Sequence, residues 1–279
     1  MSTILGEIHP RIMKNHTNMH INTFIAQKSS GLIESEFGTE PTLPIANPID
    51  LPRNIYMFWD EGFDAAPDIV KYCFESWKTK NSSWNIKFLT LDDAKKILSD
   101  MHLPENMIMP HYADALRTEL LMQHGGVWVD ATVLCTEGLD SWLPNIFNQT
   151  NFFAFSRPAP DRIISNWFLA STRQNALITE WHNLYFRYIT SSYASAPYFF
   201  HHYIFEYLIK SSNQHAAKWQ ATPKMSAEPP HFLQNILMQD TTINEEIIER
   251  LKYIPMHKLT YKSTENININ RLTKILEMI

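Results

Sequence analysis

The stretch from His111 to Leu139, HYADALRTELLMQHGGVWVDATVLCTEGL, constrains the fold of this chain more than any other. Its first part carries Ala113, Leu116, Leu120 and Leu121 at helical spacing, and the adjacent Gly125 and Gly126 stop the run. The second part, Val127 to Leu134, is rich in Val and Trp and reads as one buried strand. Asp114 and Arg117 are three apart and share a helix face. Asp130 and Thr132 are two apart, so an extended backbone points them to the same side. The turn therefore gathers an acid–base pair, two glycines and a second acid. Glycines at such a place let the backbone approach a ligand or a neighbouring element closely. The bland alternatives are an exposed pair, worth about 0.3–0.5 kcal/mol, and a plain helix stop. Asp130 weighs against both, because a carboxylate inside an apolar strand is costly without a partner.

The flanking segments supply the rest of the fold. Arg53 to Trp59 reads as a strand followed by a loop, Asp68 to Lys78 as a helix, and Trp84 to Thr90 as a second strand. Asp92 to Leu98 opens another helix with an acidic first turn that suits the helix dipole. This alternation predicts an α/β fold with a partly parallel sheet and helices on its faces. Ligands of such sheets gather at the carboxyl ends of the strands. Trp59 stands at one of those ends, and the residues alone suit a core Trp and a base-stacking Trp equally well. Beyond Pro144, Asn151 to Ser156 and Ile163 to Ser171 read as strands, the second with a polar Asn166 inside it. Asn175 to Thr190 and Tyr198 to Ile209 read as helices with core-facing stripes. His201 and His202 are adjacent, so a helix sends them in different directions and they do not form a joint metal site. His231 and Gln234, at i and i+3, share a helix face, whose default reading is a solvated one.

Composition sets limits on function. Of 279 residues 44% are hydrophobic, enough for a sizeable core. The net charge of −5 argues against a broad nucleic-acid surface. Cys73 and Cys135 both lie in apolar runs and read as buried free thiols, not as a zinc site or a disulfide framework. The first residues lack the basic-then-apolar order of a secretory signal, and no apolar run reaches the ~20 residues of a membrane helix. A cytoplasmic location is expected, with peripheral contact at the inner face of the cell membrane left open. Residues 1–50 hold only two aromatics, Phe24 and Phe37, and end in Pro41, Pro44 and Pro48. They read as an N-terminal extension packing over the domain.

The residues Ala-Asp-Ala-Leu-Arg at 113–117, followed by His-Gly-Gly-Val-Trp-Val-Asp-Ala-Thr at 124–132, resemble the signature of the capsular polysaccharide synthesis glycosyltransferases. They are similar, more distantly, to the sugar transferases of the yeast initiating mannosyltransferase type and to the large clostridial glucosylating toxins. Those distant relatives carry Asp-x-Asp where this chain has Asp130-Ala131-Thr132, the form typical of the capsular branch. The resemblance runs from about Leu51 to Lys262. It implies an α/β fold of the GT-A type, a mixed central sheet flanked by helices. A nucleotide-sugar-binding half would span 51–143, and an acceptor half with a closing segment 144–279. It implies transfer of a sugar, with retention, from a nucleotide-sugar donor to a bacterial surface glycan of capsule or lipopolysaccharide type, free or lipid-linked. Asp130 and Arg117 would carry the catalysis. Trp59, Asp114, Asn166 and Lys262 would meet the donor, and His202, His231 and Gln234 the acceptor. A divalent metal, Mn2+ or Mg2+, would sit on Asp130 and His257, less firmly than in relatives because Thr132 is neutral. Two other readings stay open: a toxin-like enzyme that glycosylates a protein hydroxyl, and a non-catalytic module that binds sugar nucleotides or glycans.

Overall fold

The computed structural model describes residues 51–147, 149–193, 196–239, 241–262 and 267–279, so the expected extension at 1–50 lies outside the described residues. Strand β1 (Asn54–Phe58) is buried along nearly its whole length, whereas β2 (Asn85–Leu89) alternates between exposed and partly buried positions. The difference follows from position: β1 is interior and β2 is an edge strand of a five-stranded sheet ordered β2-β1-β3-β6-β5. β1 runs parallel to both β2 and β3 (Gly126–Val129). Helix α1 (Asp68–Lys80) makes the first crossover. Helices α2 (Leu91–Ile97) and α3 (Met109–His124) lie between β2 and β3. The acidic first turn of α2 is a capping box, with Thr90 Oγ1 accepting from the Asp93 amide and Asp93 Oδ2 accepting from the Thr90 amide. The remaining strands, β5 (Phe152–Ala159) and β6 (Arg162–Ser171), are antiparallel, and β6 pairs antiparallel with β3. The α/β architecture with a mixed sheet flanked by helices is thus the one expected.

Successive side chains of a strand point to opposite faces, and the sheet buries both. Tyr56, Trp128 and Phe152 join one apolar cluster with Leu116 and Leu120 of α3, Trp181 and Tyr185 of α5 (Ala176–Ser192) and Phe205 of α6 (Phe200–Ser211). Ile55, Met57, Val127 and Val129 join a second cluster with Trp77 of α1 and Leu143 of α4 (Leu139–Phe147). Helices α7 (Asn213–Ala221), α8 (Phe232–Met238), α9 (Glu245–Lys252) and α10 (Ile269–Leu276) complete the described helices of the second half. Cys73 and Cys135 are buried and unpaired, as expected. Among the described residues no helix is long and apolar enough to cross a membrane.

One expected element is divided. Val127 to Leu134 does not form a single strand: β3 ends at Val129, and β4 (Val133–Cys135) belongs to a separate two-stranded sheet with β7 (Met256–Lys258). The Asp130 amide still donates to the Trp167 carbonyl of β6 at 2.8 Å, after which a turn closes with Val133 N–H on the Asp130 carbonyl at 2.9 Å. Asp130 and Thr132 therefore flank a turn, not positions of one extended strand.

Candidate active site

The glycine pair sets the geometry. Gly125 has φ +65° and Gly126 φ +106°, and a Cβ on Gly126 would stand 2.6 Å from the Asn54 carbonyl oxygen of β1. Only glycine allows this turn without pushing β3 off its neighbour. From Arg117 to Gly125 the helix falls by about 12 Å, and from Gly126 to Asp130 the strand climbs by about 13 Å. Arg117 and Asp130 therefore return to one level. Arg117 Nη2 donates to Asp130 Oδ1 at 3.0 Å and Nη1 pairs with Asp114 Oδ1 at 2.8 Å. The guanidinium lies 5.0 Å from the centre of the Trp128 ring, whose indole N–H also donates to Asp130 Oδ1 at 3.1 Å. Arg117 and Asp114 are buried, with side chains 5% and 6% exposed, while Asp130 keeps 28% of its side chain open. The exposed-pair alternative does not hold. Nor is the Arg117 fork displayed to solvent for a phosphate, since two carboxylates occupy it.

Asp114 is the inner acid. Its Oδ1 also accepts from Asn166 Nδ2 at 2.8 Å and lies 3.3 Å from His201 Nδ1. Burial pushes its carboxyl up to about 7, with Arg117 pulling against that shift and Asp130 adding to it. His201 is fully buried and stacked on Trp181 with ring centres 4.1 Å apart. Burial and the nearby Arg117 charge hold it well below the usual histidine range, so it is a neutral hydrogen-bond partner. Asp130 behaves differently. Burial pushes it up, but Arg117, Lys258 and the Trp128 N–H together hold it below the ordinary carboxylate value.

Lys258 is the residue that sequence reasoning missed. Its Nζ donates to Thr132 Oγ1 at 2.6 Å and lies 3.6 Å from Asp130 Oδ2. Strand pairing places it there, since Val133 faces Lys258 and the Leu259 amide donates to the Thr132 carbonyl at 2.9 Å. Adjacent strand residues point to opposite faces, so His257 turns away from the turn. It is fully buried, neither ring nitrogen has a hydrogen-bond partner, and burial pushes its pKa down to about 3. The expected pairing of His257 with Asp130 is therefore not formed. Lys262 is exposed, and the closing-segment lysine beside Asp130 is Lys258 instead.

The other expected residues divide. Asn166 is joined to Asp114 directly. Trp59 is half-buried at the end of β1, meets the Tyr261 ring edge-on at 4.9 Å and leaves its indole N–H without a partner. His202 is buried, with Nδ1 unpartnered; burial pushes it down to about 3, and the charges of Arg162 and Arg117 act in the same direction. His231 Nδ1–H donates to the Ala227 carbonyl at 2.7 Å, and its downward shift, mainly from burial, also reflects Lys258 and Arg162. Both histidines thus border the same charged region. Gln234 is half-buried on α8, with no role fixed by its contacts.

The donor set does not fit a divalent cation. Among the described residues no group of three or more His, Cys, Asp or Glu side chains comes together to hold one. The two oxygens that would replace an Asp-x-Asp pair, Asp130 Oδ2 and Thr132 Oγ1, both face the Lys258 ammonium. An ion held by those two oxygens would have to displace the Lys258 ammonium from them.

The chain is similar to several known proteins. A 154-residue stretch is 26% identical to the glycosyltransferase afumC of Aspergillus fumigatus, covering 48% of this chain and 39% of that one. A 155-residue stretch is 26% identical to the probable glycosyltransferase FCK3 of Fusarium pseudograminearum, covering 50% and 39%. The chain thus spans about two fifths of the length of these relatives. Among solved structures, the PaToxG glycosyltransferase aligns over 72% of this chain and 84% of its own, with 14% identity and a TM-score of 0.42. The family described as capsular polysaccharide synthesis protein matches residues 5–276, which takes in most of the segment set apart as an extension. On that match over nearly its whole length, the chain belongs to the capsular polysaccharide synthesis protein family.

Proposed function

We propose that the chain is a GT-A-type glycosyltransferase that moves a sugar, with retention, from a nucleotide-sugar donor to a bacterial surface glycan at the inner face of the membrane. The observation that carries this reading is the buried Asp114–Arg117–Asp130 bridge at the carboxyl end of parallel strands, in a chain whose sequence relatives are glycosyltransferases. In the reaction an acceptor hydroxyl oxygen bonds to the sugar C1. The bond from C1 to the donor phosphate breaks, its electron pair stays on the diphosphate, and the hydroxyl proton passes to that phosphate or to water. Such a step needs charge stabilisation at the leaving diphosphate and fixed orientation of the sugar. Asp130, partly open and ionised, orients the donor, and Arg117 acts behind it by holding both acids in place. Asp114 and Asn166 face the sugar, Trp59 offers a flat surface to the base, and His202, His231 and Gln234 border the acceptor side.

The test is a panel of nucleotide sugars incubated with the purified chain. Release of nucleoside diphosphate is measured without acceptor, and label incorporation with glycan or protein acceptors. Magnetic resonance of the product gives its anomeric configuration. Asp130→Asn should lower turnover about 100-fold or more while the variant still unfolds cooperatively, with a lower melting point because Arg117 and Lys258 lose a charged partner. Label appearing only on protein hydroxyls would replace the acceptor, inversion would replace the stereochemistry, and nucleotide binding without turnover would reduce the chain to a binding module.

A further inference from the structure

We propose, resting on the transferase reading, that Lys258 takes the place of a divalent metal: its ammonium binds the donor's diphosphate and neutralises the charge that gathers there as the sugar leaves. Three observations carry this. The ammonium sits at the two oxygens of the Asp130-Ala131-Thr132 turn, 2.6 Å from Thr132 Oγ1 and 3.6 Å from Asp130 Oδ2. Its stem is fixed by β4–β7 pairing and by the Leu259 amide on the Thr132 carbonyl, so the charge is held by a strand and not by a loose loop. The side chain is 19% exposed, so its charged end has a route to a ligand, whereas the Arg117 guanidinium beside it is enclosed by carboxylates.

The charges around the turn point the same way. Asp130 is covered by Arg117 on Oδ1 and by Lys258 on its other oxygen. Asp114, the other acid of the bridge, shares the same Arg117. Arg162 lies near enough to influence both His202 and His231, each of which is neutral by burial. Arg162 is itself paired with Asp161 at 3.2 Å, so the open side of the turn presents one partly exposed cation, Lys258, beside Asp130. It suits a diphosphate, which needs hydrogen-bond donors, better than a bare cation, which needs oxygen acceptors.

Calorimetry with nucleoside diphosphates and their monophosphates, for the five common bases, tests the proposal on the purified full chain stripped with EDTA. In EDTA one diphosphate should bind the parent chain with an affinity within about twofold of that seen with Mn2+. Lys258→Met removes one charged hydrogen bond, so it should weaken that diphosphate about tenfold to a hundredfold and its monophosphate far less. The double variant Thr132→Asp with Lys258→Met rebuilds an Asp-x-Asp pair, and its diphosphate binding should be lost in EDTA and recovered with Mn2+. Diphosphate binding by the parent only with Mn2+ would overturn the proposal whether or not the variants fold. An equal loss of monophosphate and diphosphate in Lys258→Met would overturn it too. The transferase reading fails separately: diphosphate binds as described, but no nucleotide sugar is turned over. If no nucleotide binds in either buffer, both fall.

Discussion

Asp114 and Asp130 are the same chemical group on the same arginine, and their surroundings drive them apart. Asp130 is partly open and meets two cations and an indole N–H, so it stays ionised. Asp114 is deeper and shares one cation, so burial wins and its carboxyl rises to about 7. Pairs of acids separated in this way divide roles near neutral pH, one as a fixed charge and one as a proton carrier. The consequence for stability has a definite sign. Because the folded value of Asp114 lies above its unfolded value of about 3.9, the folded chain holds an extra proton between about pH 4 and pH 7, and this contribution to stability is lost as pH rises through that window. Asp130 works the other way, adding stability at higher pH that is lost as its carboxyl is protonated in acid. Asp114→Asn removes only the first effect. Urea unfolding at a series of pH values should show the parent losing stability relative to Asp114→Asn between about pH 4.5 and pH 7. Parallel curves would mean that Asp114 is ionised throughout.

At the scale of elements, the unit is α3, the glycine turn, β3 and the turn at Asp130. Gly126→Ala puts a methyl 2.6 Å from the Asn54 carbonyl at a φ of +106°, so β3 must shift or the residue must leave that conformation. A loss of about 1–3 kcal/mol is expected from the backbone alone, and turnover should fall with it because Arg117 and Asp130 lose their common level. Gly62→Ala is the control: its φ is +81°, but its nearest neighbour is the Thr90 Cγ2 methyl at 3.4 Å, an ordinary contact distance. Thermal melts should therefore rank Gly126→Ala well below Gly62→Ala; equal losses would show that strain alone matters, and not the approach of β3 to β1. Much of this unit was legible in the chain, because the helix repeat, the glycine stop and the Asp114–Arg117 spacing are all local. The break of the strand at Asp130 was not, since a Val-rich run reads alike in one sheet or two. Lys258 was not legible either. It reaches Thr132 across 126 residues, and in a strand a register change of one residue exchanges inward and outward faces. The same local string, His257-Lys258, thus suggested the histidine, whereas pairing with β4 presents the lysine.

At the scale of the molecule, the two halves of the expected single domain share one sheet. The central sheet takes β1, β2 and β3 from residues before 143 and β5 and β6 from residues after it. The seam runs through Val127 opposite Ala170, Trp128 opposite Leu169 and Val129 opposite Phe168. A second seam joins β4 to β7. The site crosses both seams: Asp114, Arg117 and Asp130 come from the first half, Asn166, His201 and Lys258 from the second. A fragment of residues 51–143 would expose the β3 edge and leave Trp128 without Trp181, Tyr185 and Phe205 in its apolar cluster. Unpaired edges and uncovered apolar faces are what a small domain cannot tolerate. The fragment alone should therefore give no cooperative urea transition by far-ultraviolet circular dichroism. The full chain should unfold in one step, with tryptophan fluorescence and circular dichroism coinciding. Mixing separately prepared 51–143 and 144–279 should restore part of that transition, and with it nucleoside diphosphate binding, because Lys258 meets Asp130 only when the seams close. A cooperative transition in the isolated first fragment would show instead that β1, β2 and β3 form a folding unit of their own, onto which residues 144–279 dock afterwards.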